Sequence, residues 1–317
     1  MISDSAARPP GPAEVVVRVA GVALGCEPAA EIAGVVESAG DAAGDWLARR
    51  VVVPRVLPCG ECDRCRRGRA ATCLQRAERH GLATYETVAA RPLCSVEPPL
   101  WPAGIELWQL AALPDAAATP YGGLVRAGLA PGELLVVLGG GVRGAFAVAI
   151  ARALGAHPVL VDSHAPSCER ALSLGARFVV DADRSPGDAR AEIERQAAAL
   201  GVATHCYKLI ETTATPAGRH RAAAMLPDGG TAVLLDGGDD LLHPLPAMPW
   251  ESLARSEAQL IGASACHPDL FPELCALVVR GELPIARLVT RVSPADAAEA
   301  LALRRQGRLL ELPIIVP

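Results

Sequence analysis

The stretch from Glu133 to Ala156, ELLVVLGGGVRGAFAVAIARALGA, joins an apolar run to an alanine-rich segment through a cluster of glycines. An unbroken run of Leu and Val suits a strand covered on both faces. Gly139, Gly141 and Gly144 then follow the pattern Gly-x-Gly-x-x-Gly at the opening of a helix. Glycines there allow a tight turn and let the N–H groups of the helix N-terminus approach a diphosphate. The next apolar run, HPVLVD, ends in Asp162, 18 residues after Gly144. A carboxylate in that place accepts a hydrogen bond from a ribose 2′-hydroxyl and repels a 2′-phosphate. The stretch therefore predicts a dinucleotide turn that prefers NAD to NADP. Arg143 stands before the third glycine, where a small apolar residue would pack. Its guanidinium either reaches a phosphate or crowds the crevice, and crowding would leave a dinucleotide fold that no longer binds its ligand.

Working outward, apolar strands (LLVVLG, HPVLVD, ARFVVD, TAVLLDG) alternate with alanine-rich helical segments over residues 113–279. Such alternation implies βαβ units on a doubly wound parallel sheet, an α/β fold of the Rossmann type. Residues 1–112 instead show short strand-like runs, such as EVVVRV, EIAGVVESAG, RRVVVPRVL and YETVAA, separated by Gly, Pro and Asp. These predict a small barrel or sandwich. Residues 280–317 supply a strand, a helix opened by Ser293-Pro294, and a terminal strand, LPIIVP, expected to return to the first domain.

Composition limits what the chain does. With 317 residues, 51% hydrophobic and 21% charged, it has enough apolar material for two cores. No stretch approaches the ~18–20 uninterrupted apolar residues of a membrane span. The first residues, MISDSAARPPGPAE, lack the basic-then-apolar pattern of a secretory signal, so a cytoplasmic protein with no membrane partner is expected. A net charge of −5 gives no footprint for nucleic acid. Lys208 is the only lysine, which excludes a Gly-Lys-Ser/Thr phosphate loop.

Four of the ten cysteines cluster in PCGECDRCRRGRAATC, as Cys59-x2-Cys62-x2-Cys65-x7-Cys73. Zinc takes four thiolates in a tetrahedron at about 2.3 Å, and Cys-x2-Cys loops supply adjacent corners. Four cysteine ligands leave no vertex for water or substrate, so the site is read as structural zinc. Iron–sulfur ligation is the competing metal assignment. Clustered thiols with no metal would be prone to oxidation. Arg64, Arg66, Arg67 and Arg69 make the same lobe basic, either as a solvated face or to meet a phosphate.

A barrel-like half carrying a four-cysteine lobe, then a Rossmann half, then a return strand, resembles the zinc-containing medium-chain alcohol dehydrogenase superfamily. That resemblance implies a GroES-like β-barrel catalytic domain (1–112 and 280–317) and a Rossmann NAD-binding domain (113–279). It also implies a homo-oligomer, dimer or tetramer, acting on a small alcohol. Stretches such as LPDAAATPYGGLVRAGLAPGELLVVLGGG and GASACHPDLFPELCALV look most like the 6-hydroxycyclohex-1-ene-1-carbonyl-CoA dehydrogenases. An alicyclic hydroxyacyl-CoA is the substrate class this implies.

In that family a catalytic zinc is held by a Gly-Val-Cys turn, a Gly-His-Glu strand start, and a Cys or Asp before the Rossmann half. By resemblance Asp115 takes the third place, although an Asp there also suits a helix N-cap. The first two motifs fall in GVALGCEPAAEIAGVV, from Gly21 to Val36, where Ala23 and Ala30 replace the cysteine and histidine, and Gly25 the relay hydroxyl. Some two dozen residues between the motifs are reduced to a few. An alanine methyl cannot ligate a metal, so the usual three-ligand site is not expected to form. Glu31 survives, and Glu31 and Asp115 are the candidate catalytic residues. Cys26 is either a third member of a rebuilt Cys/Glu/Asp set or a small buried hydrophobe. His80, His205, His220, His243 and His267 are scattered and form no ligand pair. Two functions stay open: an NAD-dependent oxidation of a secondary alcohol, and a catalytically degenerate relative that binds or assembles with a true dehydrogenase.

Overall fold

A computed structural model describes residues 7–25, 31–78, 83–96, 101–236, 250–264 and 268–317. The chain divides into two compact units, Met1–Ala118 with Ala265–Pro317, and Thr119–Ser264. The sequence places these junctions at 113 and 280. They fall at 118 and 265 because the π-helical turn Leu113–Ala117 packs with helix Phe271–Val279 inside the first unit.

The first unit opens with β1 (Glu14–Ala23), β2 (Glu31–Ala39), β3 (Arg50–Val53) and β4 (Val56–Leu57). The one-turn helix α1 (Asp63–Arg66) precedes β5 (Ala77–Glu78), β6 (Tyr85–Ala89) and β7 (Cys94–Ser95). The β-branched residues of β1, β2 and β3 fill one core, including Val15, Val17, Ile32, Val51 and Val53. Strand β1 is paired along both edges, with β2 on one side and with β6 and then the last strand of the chain on the other.

The second unit begins with α2 (Ala118–Arg126) and β8 (Leu134–Leu138). Helix α3 (Val142–Ala153) leads to β9 (His157–Val161), and α4 (Ala165–Leu174) leads to β10 (Val179–Val180). Helix α5 (Pro186–Ala199) precedes β11 (Lys208–Glu211), α6 (Pro216–Met225) precedes β12 (Thr231–Leu235), and α7 (Trp250–Arg255) precedes β13 (Gln259–Ala263). All six strands are parallel, in the order β10-β9-β8-β11-β12-β13. The order reverses between β8 and β11, and ligands of such sheets sit outside the carboxyl ends of the strands at that reversal. Strands β11 and β13 escape the sequence reading because KLIE and QLIGA are short and lack a long apolar run. Lys208 opens β11, with its ammonium 3.9 Å from Glu133.

The chain returns to the first unit through α8 (Phe271–Val279), β14 (Val289–Val292), α9 (Ala297–Arg305) and β15 (Leu312–Ile315). Ser293 caps the 3-10 turn leading into α9 by accepting the Asp296 N–H at 3.3 Å. Strand β15 pairs antiparallel with β1, Val22 opposite Ile315 and Ala23 opposite Ile314, so the terminal strand does return to the first unit.

The entry to β1 is tied by Glu14. Its carboxylate accepts hydrogen bonds from the Arg8 guanidinium and from the Gly11 N–H, and Arg8 chiefly holds the carboxyl down at about 2. A folded value below the ordinary 4.5 means the contact stabilises above that pH and is lost as pH falls toward 2. The pair is partly exposed and its effect correspondingly small. Glu14→Gln is expected to lower the melting temperature by about 1–3 °C at pH 7 and to leave it unchanged near pH 2, as thermal melts across that range will show.

Candidate functional sites: a four-cysteine cluster and a dinucleotide turn

The lobe between β4 and β5 is built around its four cysteines. Cys59 and Cys62 flank a turn in which Gly60 takes a φ of 74°, Cys65 lies in α1, and Cys73 follows a 3-10 turn. Their four Sγ atoms lie within 4.8 Å of one another. The Cys62–Cys65 and Cys59–Cys73 separations are 3.5 Å, Cys62–Cys73 is 3.8 Å and Cys59–Cys65 is 4.0 Å. Bonds of about 2.3 Å to one tetrahedral ion place the sulfurs about 3.8 Å apart, so the spacing fits a single ion. An iron–sulfur cluster, with several irons and sulfides between its thiolates, would spread them further.

Backbone N–H groups support the sulfurs, Cys62 to Cys59 and Cys59 to Cys73, each at 3.4 Å. A bond from the Cys65 N–H helps hold the Cys62 thiol down at about 6, whereas burial pushes the Cys65 thiol up to about 12. Among the described residues this is the only gathering of three or more potential ligands. Of the basic run, Arg64 is spent on the Thr72 carbonyl at 2.7 Å and Arg67 on Asp63 at 2.9 Å.

The residues that the resemblance assigns to a catalytic site are also in the first unit. Ala23 is 2% exposed and lies in β1 between Ile314 and Glu31. A buried methyl therefore stands at the position the resemblance assigns to a cysteine ligand. Glu31 begins β2 and is buried. Asp115 is half-buried inside the π-helical turn Leu113–Ala117, not at a helix N-cap. Cys26 and Ala30 lie outside the described residues, as do His80, His243 and His267.

In the second unit, the turn between β8 and α3 uses each glycine differently. Gly139 takes a φ of 93°, which a side chain would strain. A Cβ on Gly144 would lie 1.9 Å from the Gly139 carbonyl oxygen, so only glycine lets α3 sit against the turn. A Cβ on Gly141 would meet nothing within 4 Å, so its backbone faces open space. No described side chain caps α3, leaving its first N–H groups to an anion. Asp162 lies just beyond β9. Its Oδ2 accepts the Gly140 N–H at 2.5 Å and its Oδ1 the His164 N–H at 2.7 Å, which fixes the carboxylate beside the turn.

A cavity of about 560 Å³ opens here, lined by Gly139, Asp162, Thr213, Thr215 and Arg221 among others. The turn, the acid and the cavity are thus brought together. Arg143 neither lies in this cavity lining nor is left at large: its guanidinium donates to the Asp236 carbonyl beyond β12. The Glu211–Thr215 segment carries no recognised motif, yet in the fold the Thr212 hydroxyl shares its one hydrogen between the Leu138 and Gly139 carbonyls at 3.0 and 2.9 Å. The available signal was a run of polar residues, ETTAT, closing an apolar strand.

A parallel sheet of this order, a glycine turn with an acid at the next strand end, and a separate, largely β unit with a four-cysteine lobe match an oxidoreductase of the alcohol dehydrogenase class. The comparisons with known proteins agree. The family models "Alcohol dehydrogenase GroES-like domain" and "Zinc-binding dehydrogenase" match residues 11–98 and 143–280. The chain is 29% identical to "Probable alcohol dehydrogenase adh" of Mycobacterium tuberculosis, over 87% of this chain and 76% of that one. It is also 29% identical to geraniol dehydrogenase of Castellaniella defragrans, over 90% and 82%. The fold superposes on benzyl alcohol dehydrogenase from Acinetobacter calcoaceticus with a TM-score of 0.83 at 20% identity, covering 98% and 93% of the two chains. The chain belongs to the zinc-containing medium-chain alcohol dehydrogenase superfamily. Among the described residues no helix is long and apolar enough to cross a membrane.

If the lobe is held by a metal, Cys62→Ser removes a corner of the tetrahedron. Its melting temperature is expected to fall by at least 5 °C, a strong chelator should lower that of the native chain to match, and the variant should not respond to chelator.

Proposed function

We propose that the chain is an NAD-dependent oxidoreductase acting on a secondary alcohol, with one structural zinc in the four-cysteine lobe and no catalytic zinc of the usual kind. The observation that carries this reading is the Asp162 carboxylate, fixed beside the Gly139–Gly144 turn at the carboxyl end of the sheet. That arrangement suits a dinucleotide whose diphosphate meets the α3 amides and whose ribose hydroxyls meet Asp162, with a 2′-phosphate repelled. A bound nicotinamide supplies the hydride acceptor or donor.

On the alcohol side, Glu31 and Asp115 are the acids retained from the family's site, and either is suited to accept the hydroxyl proton as general base. Zinc at Cys59, Cys62, Cys65 and Cys73 stabilises the lobe and takes no part in turnover, because four thiolates close its coordination. By resemblance the substrate is an alicyclic hydroxyacyl-CoA, similar to 6-hydroxycyclohex-1-ene-1-carbonyl-CoA, and the protein is a cytoplasmic homo-oligomer of two or four chains. It has neither nucleic-acid nor membrane partners in this reading.

The buried, strand-paired Ala23 also favours a second reading, a relative that binds NAD and assembles with an active dehydrogenase without turning over. Two measurements separate the outcomes. NAD is expected to raise the melting temperature by several degrees at millimolar concentration and NADP by less. NADH should then form with cyclic secondary alcohols or their CoA thioesters. Binding without turnover on any of these favours the second reading, and no shift with either dinucleotide overturns both.

A further inference from the structure

The residues after β11 form a hydrogen-bonded chain whose direction is fixed. Glu211 ends β11 with its side chain fully buried. Its Oε1 accepts the Thr213 N–H at 2.7 Å and the Ala214 N–H at 3.0 Å, which marks that oxygen as the acceptor of this turn. The Thr213 hydroxyl, 2.5 Å from the same oxygen, must therefore donate to it. Having spent its one hydrogen, Thr213 Oγ1 can only accept from Thr215, whose hydroxyl lies at 2.9 Å and whose N–H lies at 3.3 Å. The Thr215 hydroxyl has then spent its hydrogen too, and one of its two lone pairs takes the Gly218 N–H at 3.0 Å.

One acceptor lone pair on Thr215 has no partner among the described residues, and no donor remains on that hydroxyl. Thr215 is exposed and lines the same cavity as Asp162, whose oxygens are also acceptors. The cation on this wall, Arg221, turns one nitrogen to the Ala182 and Arg184 carbonyls at 2.6 and 3.1 Å. The geometry points to Thr215 as a specificity-determining residue, an obligate hydrogen-bond acceptor that reads an N–H or O–H donor of the adenosine moiety. This rests on the reading of the cavity as the adenosine end of an NAD site. Glu211, two links away, acts as a positioning residue by setting the direction of the hydroxyls.

The donor is either the adenine amino group or a ribose hydroxyl, and two analogues distinguish them: the hypoxanthine dinucleotide, which lacks the amine, and NAD with 2′-deoxyadenosine. Calorimetric titration of the full-length protein with NAD and both analogues is the test. In the wild type, one analogue is expected to bind about five- to tenfold more weakly than NAD. Thr215→Val should weaken NAD by a similar factor and leave that analogue unchanged, while Thr215→Ser, which keeps both the acceptor and the α6 cap, should bind all three like wild type. A merely structural role would weaken all three ligands equally. Wild-type protein that binds both analogues as tightly as NAD overturns the assignment whether or not Thr215→Val folds. So does a Thr215→Val protein with wild-type ratios. Wild-type protein that binds none of the three overturns the NAD reading itself.

Discussion

Strand β1 is hydrogen-bonded along both edges, and this constraint governs the chemistry of the first unit. At its end Ala23 lies between Ile314 of β15 and Glu31 of β2. The pairing is extended one residue further by the Leu24 N–H, which donates to the Pro313 carbonyl at 2.9 Å, and by Arg304, which donates to the Leu24 carbonyl at 2.6 Å. A backbone held on both sides can present a metal only with what its side chains carry, and here that is a methyl. Restoring a ligand by moving the strand would break pairings on two edges. Short of substitution, the position is closed to metal.

The same pairing makes the fold of this end of β1 independent of any ligand at Ala23. The strand is held by its neighbours and by the core of β1, β2 and β3, so its fold does not depend on a metal at that end. On the proposed function, stability contributed by a metal is confined to the four-cysteine lobe, whose four Sγ atoms lie within 4.8 Å of one another. Structure and chemistry are separated in that reading: the lobe holds four thiols, while two of the three positions that the resemblance assigns to catalytic ligands are Ala23 and Ala30.

The second unit keeps its glycine turn and its acid together. Gly144 touches Gly139, Asp162 is fixed by two N–H groups, and Glu211 holds the following loop from beneath, so the binding wall is assembled by short contacts between consecutive strand ends. Much of it was legible in sequence, because the glycines and the acid have a spacing imposed by backbone geometry. The four cysteines were legible for the same reason, ligand spacing being local. Strands β11 and β13 were not, since KLIE and QLIGA lack the unbroken Leu and Val runs that mark β8, β9 and β12. Arg143 and Thr215 were not either. Their roles depend on which partner they face, Asp236 and Thr213, and only the three-dimensional structure brings those partners close.

On the proposed function, metal and turnover have come apart in this chain. Zinc content of the purified native protein, measured per chain by elemental mass spectrometry, tests it most directly. One zinc per chain is the expected content. Two zincs per chain would show that Glu31, Asp115 or the segment beside them has rebuilt a second site, and would contradict it.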